Sequence, residues 1–600
     1  MALSIVNIGS GFSILLKPFS TFKKPFPSAT KVVNTTSIRC TANDAAFTID
    51  ENLNVRRSGN YAPSTWDYDF FQSLNSDFKG EICSSHASDL KEEVRMLLNK
   101  EEMDSLDKVE LVDSIQRLGV CYHFEDEIQR ILEAICDCNE KWDDQDLYAT
   151  SLKFRLLRQH NFNVPQEVFK DFMDESGKFK ASLSKDMKGI LYLYEASYHS
   201  TKDEKIMEEA QDFTKTLMKN YMTNISSEDD KLGELVSHAL ELPLHWREPR
   251  HEARWFIDFY ETSSMVLEEN MNSYSLLQFA KLDYNMVQSI YQDELKHLSR
   301  WWKRTEWGEK LTFARARLME CFYWSVGYNS RPEFGYARRV LTAVTAFITT
   351  IDDIYDVYAT LEELEVLTKL TKRWDATELD QLPDYMKICF TEFYNEINEI
   401  ADVAQRKHGV SVLPYLQKVW TDVFEAYLLE AQWYHIGYKP SLREYLDNAW
   451  ISITGPVILT HSYFLTATSI TDEALQCLKT YPYIIRLSAT ILRLADDLGT
   501  SSHEMERGDT PKSIQCYMND TGVSEEEARE HIKYMISETW KELNEERLVV
   551  QSIFPKTFID MCLNLARISL SVYLYGDGHG APSSRDKERL MFLFVNSIPL

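Results

Sequence analysis

Three aspartates, Asp352, Asp353 and Asp356, follow the apolar run Ala346-Phe-Ile-Thr-Thr350 in Ile351-Asp-Asp-Ile-Tyr-Asp-Val-Tyr358. On a helix, residues four apart share a face and lie about 6 Å apart along the axis. Asp352 and Asp356 are thereby placed to hold hard divalent cations, for which oxygen is the preferred ligand atom. Carboxylates that close an apolar helix are costly unless a counter-charge meets them. Glu526, Glu527 and Glu530 repeat the spacing without the apolar approach and read as solvated surface.

A second acidic group stands in Arg493-Leu-Ala-Asp-Asp-Leu-Gly-Thr-Ser-Ser-His-Glu504. Asp496, Thr500 and Glu504 fall at i, i+4 and i+8, one helix face with two carboxylates and a hydroxyl for another oxygen-ligated ion. Asp497 points off that face and reads as structural, and His503 is a poor ligand for a hard cation. Two acidic metal faces call for an anion between them, and a diphosphate would serve. Cations for its other oxygens are at hand in Arg315 and Arg317 (Phe313-Ala-Arg-Ala-Arg-Leu318), Arg493 and Lys512. Guanidinium forks suit phosphate oxygens.

The elements that must position these residues read as helices. Only 20 Gly and 17 Pro punctuate 600 residues, and alternating β-branched runs are scarce. Phe279, Leu282, Met286 and Ile290 mark one buried helix stripe. A break near 262–274 divides an N-terminal helical domain, 51–268, from a C-terminal catalytic, metal-binding domain, 269–600. No 34- or 40-residue repeat suggests a solenoid. With 93 acidic and 65 basic residues, the net charge of −28 argues against nucleic acid or an anionic membrane as a partner. No apolar run reaches the roughly 18 residues a membrane span needs. The ten cysteines are scattered, as in a reducing compartment. From Met1 to Asn43 there is no Asp or Glu, and Lys17, Lys23, Lys24, Lys31 and Arg39 stand among eleven Ser/Thr. This is the composition of an organelle transit peptide, which we assign to residues 1–50.

The whole of 56–600 resembles the plant terpene synthases, specifically the angiosperm monoterpene branch. Asp352-Asp353-x-x-Asp356 looks like that family's first magnesium motif, and Asp496, Thr500 and Glu504 look like its second. Its paired arginines fall on Arg315 and Arg317, and its diphosphate contacts include Arg493 and Lys512. Arg56-Arg57, eight residues and Trp66 match the tandem-arginine signature of the monoterpene branch. Leu242-Pro-Leu-His-Trp-Arg247 and Tyr573-Leu-Tyr-Gly-Asp-Gly-His-Gly580 are similar too. The chain departs from the family at Ala316, usually Asp, and at Ala359, usually Gly. The lost carboxylate at 316 leaves both arginines in place.

The resemblance implies an all-α, two-domain class I terpene synthase whose N-terminal domain is a barrel-like relic with no catalysis of its own. Its leading strand would fold over the mouth of a C-terminal active site. It further implies Mg2+, three ions per site, or Mn2+, and a chain that is a monomer or homodimer in the plastid stroma. The expected reaction is ionisation of geranyl diphosphate and conversion of the cation to a monoterpene olefin or alcohol. Aromatic faces would stabilise that cation without attacking it. Trp324 resembles the cation-facing tryptophan, and Tyr573 and His579 resemble residues near the closing lid that take part in terminal proton loss. Thr345, Ile453, Thr454 and Ile458 match contour positions of the substrate pocket. Gly455 and Pro456 should break a helix there. Arg56 and Arg57 look like the pair associated with isomerisation to a linalyl intermediate, which favours a cyclic product. Leu492 replaces the bulky Phe of similar isoprene-forming enzymes. Acyclic products, a farnesyl diphosphate substrate, a chain-elongating synthase, a di-iron bundle and a non-catalytic helical scaffold are the competing readings. The chain lacks a second Asp-Asp-x-x-Asp, and Glu294-x-x-His297 has no partner motif.

Overall fold

The computed structural model describes residues 56–100, 102–137, 146–224, 230–263 and 271–600. The leader expected at 1–50 and the boundary expected between 268 and 269 lie outside them. The described residues form helices and connecting loops, with no β-strand among them and one isolated antiparallel bridge between Met173 and Phe179. Several helices start at side chains that satisfy the free backbone donors of the first turn. Thr360 with Glu363, Ser441 with Glu444 and Ser583 with Asp586 each form a reciprocal cap.

Two large apolar cores are present among the described residues, beside a small cluster of Trp433, Tyr445, Ala449 and Cys516. One gathers Val109, Leu152, Phe154, Leu193 and Met218 from the N-terminal helices. The other gathers Phe322, Phe347, Phe393, Trp420, Ile491 and Leu565 from the C-terminal ones. The helix Met271–Thr305 serves both: Leu276, Phe279 and Leu282 enter the first core, while Val287, Tyr291 and Leu295 enter the second. The single stripe expected through Met286 and Ile290 is therefore too narrow, and those two are only half-buried. With a core on either side, this helix also buries polar residues, and they are used. Asn285 exchanges 2.8 Å hydrogen bonds with the backbone of Ile598, and Gln288 and Gln292 donate to carbonyls of Phe592, Leu593, Phe594 and Asn596. These amides satisfy the acceptors left open where the helix Ser584–Phe594 ends.

The Glu526 and Glu530 look-alike is surface, as its sequence context suggests. Glu527 caps the helix Glu525–Val550 with Ser524, and Glu530 pairs with Lys533 at 2.7 Å, both exposed. No helix among the described residues is long and apolar enough to cross a membrane.

Candidate active site

The helix Gly335–Asp353 runs through the second core and gives way to a π-helical turn, Ile354–Tyr358, at the first acidic group. A π turn inserts a residue into the helical ladder and re-aims the side chains beyond it. Asp352 and Asp356 both line one large cavity. Asp353 does not. It is fully buried, accepts a 2.7 Å hydrogen bond from the backbone N–H of Arg315, and pairs with Nε of Arg315 at 2.9 Å. The position read as a metal ligand thus anchors the arginine loop, its carboxylate being taken by the backbone N–H and the guanidinium of Arg315. Burial, then the neighbouring Asp352, pushes the Asp356 carboxyl well above the usual carboxylate range.

The opposite wall is the helix Tyr483–Arg507, unbroken through the second acidic group. Asp496, Thr500 and Glu504 line the same cavity, as the i, i+4, i+8 spacing requires. Arg493, one turn earlier, pairs with Asp496 and, at 2.8 Å, with Asp497. Asp497 is fully buried and also accepts from the Tyr445 hydroxyl (3.0 Å) and the Ser513 N–H (3.0 Å), so it is structural. Burial works against the charge on Arg493, yet Asp497 and the groups beyond it hold the guanidinium pKa well above its ordinary value. Lys512 lies 3.9 Å from Glu430 and 4.0 Å from Glu504. Its ammonium is held above the ordinary value against burial by the same two carboxylates.

The paired arginines have different tasks. Arg315 lines the cavity, donates to Asp352 at 2.6 Å and lies under the ring of Tyr61, 4.9 Å from its centroid. Arg317, expected beside it at the diphosphate, is buried outside the cavity. It donates to the carbonyls of Gly580 (2.8 Å) and Ala62 (3.0 Å), tying the loop 573–580 to the N-terminal segment. A Cβ on Gly580 would approach Nη1 of Arg315 to 3.1 Å, so the close passage of this loop favours glycine. The segment from Arg56 to Trp66 forms no helix and lies across the site. Arg56 grips Glu363 with two 2.7 Å bonds, while Arg57 donates to the Asp356 carbonyl (3.1 Å) and to Asp509 (2.8 Å) and stacks on Tyr434.

The whole cavity measures about 950 Å³ including its open mouth, and the rest of its lining includes Trp324, Thr345, Ile453, Thr454, Ile458, Leu492, Tyr573 and His579. Trp324 is buried, with Tyr573 at 5.9 Å and His579 at 6.5 Å between ring centroids. Asp352, with a third of its side chain exposed, lies toward solvent. The helix break predicted from Gly455 and Pro456 falls between Leu442–Ser452 and Gly455–Thr466. Thr454 holds it with φ of 70°, a left-handed conformation costly for a β-branched residue, and its hydroxyl donates to the Ile453 carbonyl at 2.6 Å. Burial, then Arg315 and Arg317, keeps the His579 imidazole neutral, and its Nε2 lies 2.9 Å from the Thr349 hydroxyl. Sequence reasoning missed Tyr427, Glu430 and Asp577, which also line the cavity. Asp577 is only four residues from Tyr573, and it accepts the N–H of Gly580 at 2.6 Å, which shapes the loop. Tyr427 and Glu430 carried no local signal.

The donor set fits hard cations. Every candidate ligand at either wall is a carboxylate or hydroxyl oxygen. Among the described residues no three His, Cys, Asp or Glu converge into a closed metal cage. An ion at either wall would keep coordination positions for oxygens of a bound anion, as magnesium does with phosphates.

Residues 65–240 match the N-terminal domain of terpene synthases, and 303–542 match the terpene synthase metal binding domain. A chloroplastic myrcene synthase of Quercus ilex is 50% identical over 549 residues, covering 91% of this chain and 90% of that protein. A crystal structure of limonene synthase with 2-fluorolinalyl diphosphate is similar with a TM-score of 0.87 at 43% identity, covering 91% of this chain and 100% of that one. Isoprene synthase from grey poplar, with three Mg2+ ions and dimethylallyl-S-thiolodiphosphate, gives a TM-score of 0.81 at 42% identity, covering 89% and 99%.

Proposed function

Since this chain belongs to the terpene synthase family, with both the N-terminal and the metal binding domain, we propose that it converts geranyl diphosphate to a cyclic monoterpene in the plastid. The observation that carries the reading is a single cavity with oxygen donors on two facing walls, arginine at each, and buried aromatic rings beyond them. Asp352 and Asp356 on one wall and Asp496, Thr500 and Glu504 on the other would hold Mg2+. When bound, the ions supply positive charge to a leaving diphosphate.

The chain's own residues do the rest. Arg315 and Arg493 reach the anion from opposite walls, and Lys512 adds a third cation. Allylic C–O cleavage leaves a carbocation that any nearby nucleophile would consume. Trp324 and Tyr573 present ring faces, which stabilise a cation without bonding to it. Ile458, Leu492 and the Ile453–Thr454 break shape the chain-folding space. The Arg56–Trp66 segment, held by Arg56, Arg57 and Arg317, covers the site and excludes water while charge is separated. His579 is neutral and beside Trp324, placed to accept a proton from the cation. A plastid location is supported by the acid-free leader and by the chloroplastic relative.

The test is a chain beginning at Arg56, incubated with geranyl diphosphate and Mg2+, its volatiles identified by gas chromatography. A ten-carbon hydrocarbon or alcohol is expected. Faster turnover of farnesyl diphosphate would overturn the substrate, and full activity in excess chelator would overturn the metal requirement.

A further inference from the structure

A second cavity, of about 660 Å³ with its opening, shares no lining residue with the acidic cavity. Arg158 and Thr201 line it from the N-terminal helices and loops, and Asn544 and Arg547 line it from the helix Glu525–Val550. Arg158 is fully used: it grips Glu204 with bonds of 2.6 and 2.5 Å and donates to the carbonyls of Val164 and His199.

Arg547 is not. It is 6% exposed and forms no ion pair among the described residues. Only its Nη2 donates to them, to the Arg158 carbonyl, and Nε has no partner there. A guanidinium has five N–H donors, so most of those on Arg547 are unspent. The neighbouring Arg567, half-buried, meets His245 and Asn564 and, among the described residues, no carboxylate. Burial, then the proximity of Arg567, lowers the Arg547 pKa to about 10, with Asp560 opposing and Arg158 reinforcing. The nearby imidazoles of His199 and His245 are kept neutral by burial and supply no compensating charge. Of the carboxylates lining the cavity, Glu204 is committed to Arg158 and Glu167 is exposed.

A buried cation without a counter-charge costs several kcal/mol, and native structures pair such groups or bind an ion to them. We propose that this cavity is an anion site, distinct from the active site, that takes a phosphate-class oxyanion on Arg547. Donors able to complete the shell are the Thr201 hydroxyl and the Gln166 amide, whose oxygen already accepts from Ile206 N–H at 2.9 Å. A bound oxyanion would tie the N-terminal helices to the helix Glu525–Val550, which packs on the metal-wall helix Tyr483–Arg507. Inorganic phosphate and the diphosphate released by prenyl diphosphate chemistry are two sources of the same ligand chemistry.

The experiment titrates the chain with phosphate, and separately with diphosphate, in excess chelator, read by calorimetry and thermal shift. Wild type is compared with Arg547→Gln and with a Thr201→Val/Gln166→Ala double variant. One anion per chain and a raised Tm are expected in wild type, with affinity roughly tenfold or more weaker in Arg547→Gln and several-fold weaker in the double variant. The tighter of the two anions identifies the source. Binding that survives Arg547→Gln unchanged would place the anion elsewhere and overturn the site. So would equal stabilisation by chloride at matched ionic strength, or a wild type that binds neither anion. Should Arg547→Gln fail to fold, the double variant, which keeps the buried charge, decides by the same readout.

Discussion

The backbone carbonyl of Asp356 accepts a 3.1 Å hydrogen bond from Nη1 of Arg57, 299 residues away in sequence. The other end of the same guanidinium meets Asp509 at 2.8 Å, just beyond the helix that carries Asp496, Thr500 and Glu504. One side chain therefore fastens the N-terminal segment to both acidic walls of the cavity at once. The bond to Asp356 is to its backbone, so the side-chain carboxylate stays turned to the cavity while Arg57 holds the segment in place.

This relationship bears on ring closure. The trans double bond of geranyl diphosphate bars direct six-membered closure, so diphosphate must recombine at the tertiary carbon and leave again, with water excluded between steps. Arg57→Ala should lower turnover of geranyl diphosphate roughly tenfold or more beyond its effect on supplied linalyl diphosphate. Steady-state kinetics on both substrates checks this. Equal losses on the two would assign Arg57 no part in isomerisation and remove the support for a cyclic product.

Asp352 and Asp353, adjacent in sequence, should separate by readout. Asp352→Ala should cut kcat roughly a hundredfold or more while Tm hardly moves, because its side chain is 32% exposed. Asp353→Ala strips the buried partner of Arg315 and should also cost about 3–5 kcal/mol of stability. Thermal unfolding beside kinetics distinguishes them; a wild-type Tm in Asp353→Ala would contradict the anchoring role.

Arg317 should act as a tether. Arg317→Ala leaves the buried carbonyl of Gly580 without this donor, a cost of about 1–3 kcal/mol, and frees the exposed Ala62 carbonyl to water. Limited proteolysis is expected to cut faster within 56–66 and 573–580, with lowered kcat and unchanged Mg2+ affinity. If Mg2+ affinity falls while proteolysis is unchanged, Arg317 works at the metal site instead.

Glu195 offers a pH test away from the cavity. Burial raises its carboxyl from an ordinary 4.5 to about 7, against the hydrogen bond it accepts from the Leu244 N–H at 2.8 Å. The folded chain then binds a proton more tightly than the unfolded one. Stability from this group is full below about pH 4.5 and is lost as pH rises through about 7. Glu195→Gln should exceed wild type in stability by about 1–3 kcal/mol at pH 8 and match it near pH 4.5. Denaturant unfolding at the two pH values measures the difference, and a gap that fails to shrink on acidification would refute the raised carboxyl.

Local periodicity carried the parts of the site that one element builds alone. Asp496, Thr500 and Glu504 share a cavity wall because 3.6 residues per turn puts them there, and the break at Gly455-Pro456 follows from backbone chemistry that neighbours cannot override. The all-helical class, the acidic walls and the cations between them rest on the same short-range rules. What the tertiary structure decided is which residue of a pair faces the cavity and what each long side chain reaches. Asp353 faces Arg315 because the loop carrying Arg315 packs beside it and supplies both a backbone and a guanidinium donor. Arg317 meets Gly580 and Ala62, both more than 250 positions away. Glu430 and Tyr427 enter the cavity from the helix Leu413–Ile436, whose sequence carries no motif around them. Such partners depend on how the helices pack, and packing is set by the summed burial of two cores, not by spacing along the chain.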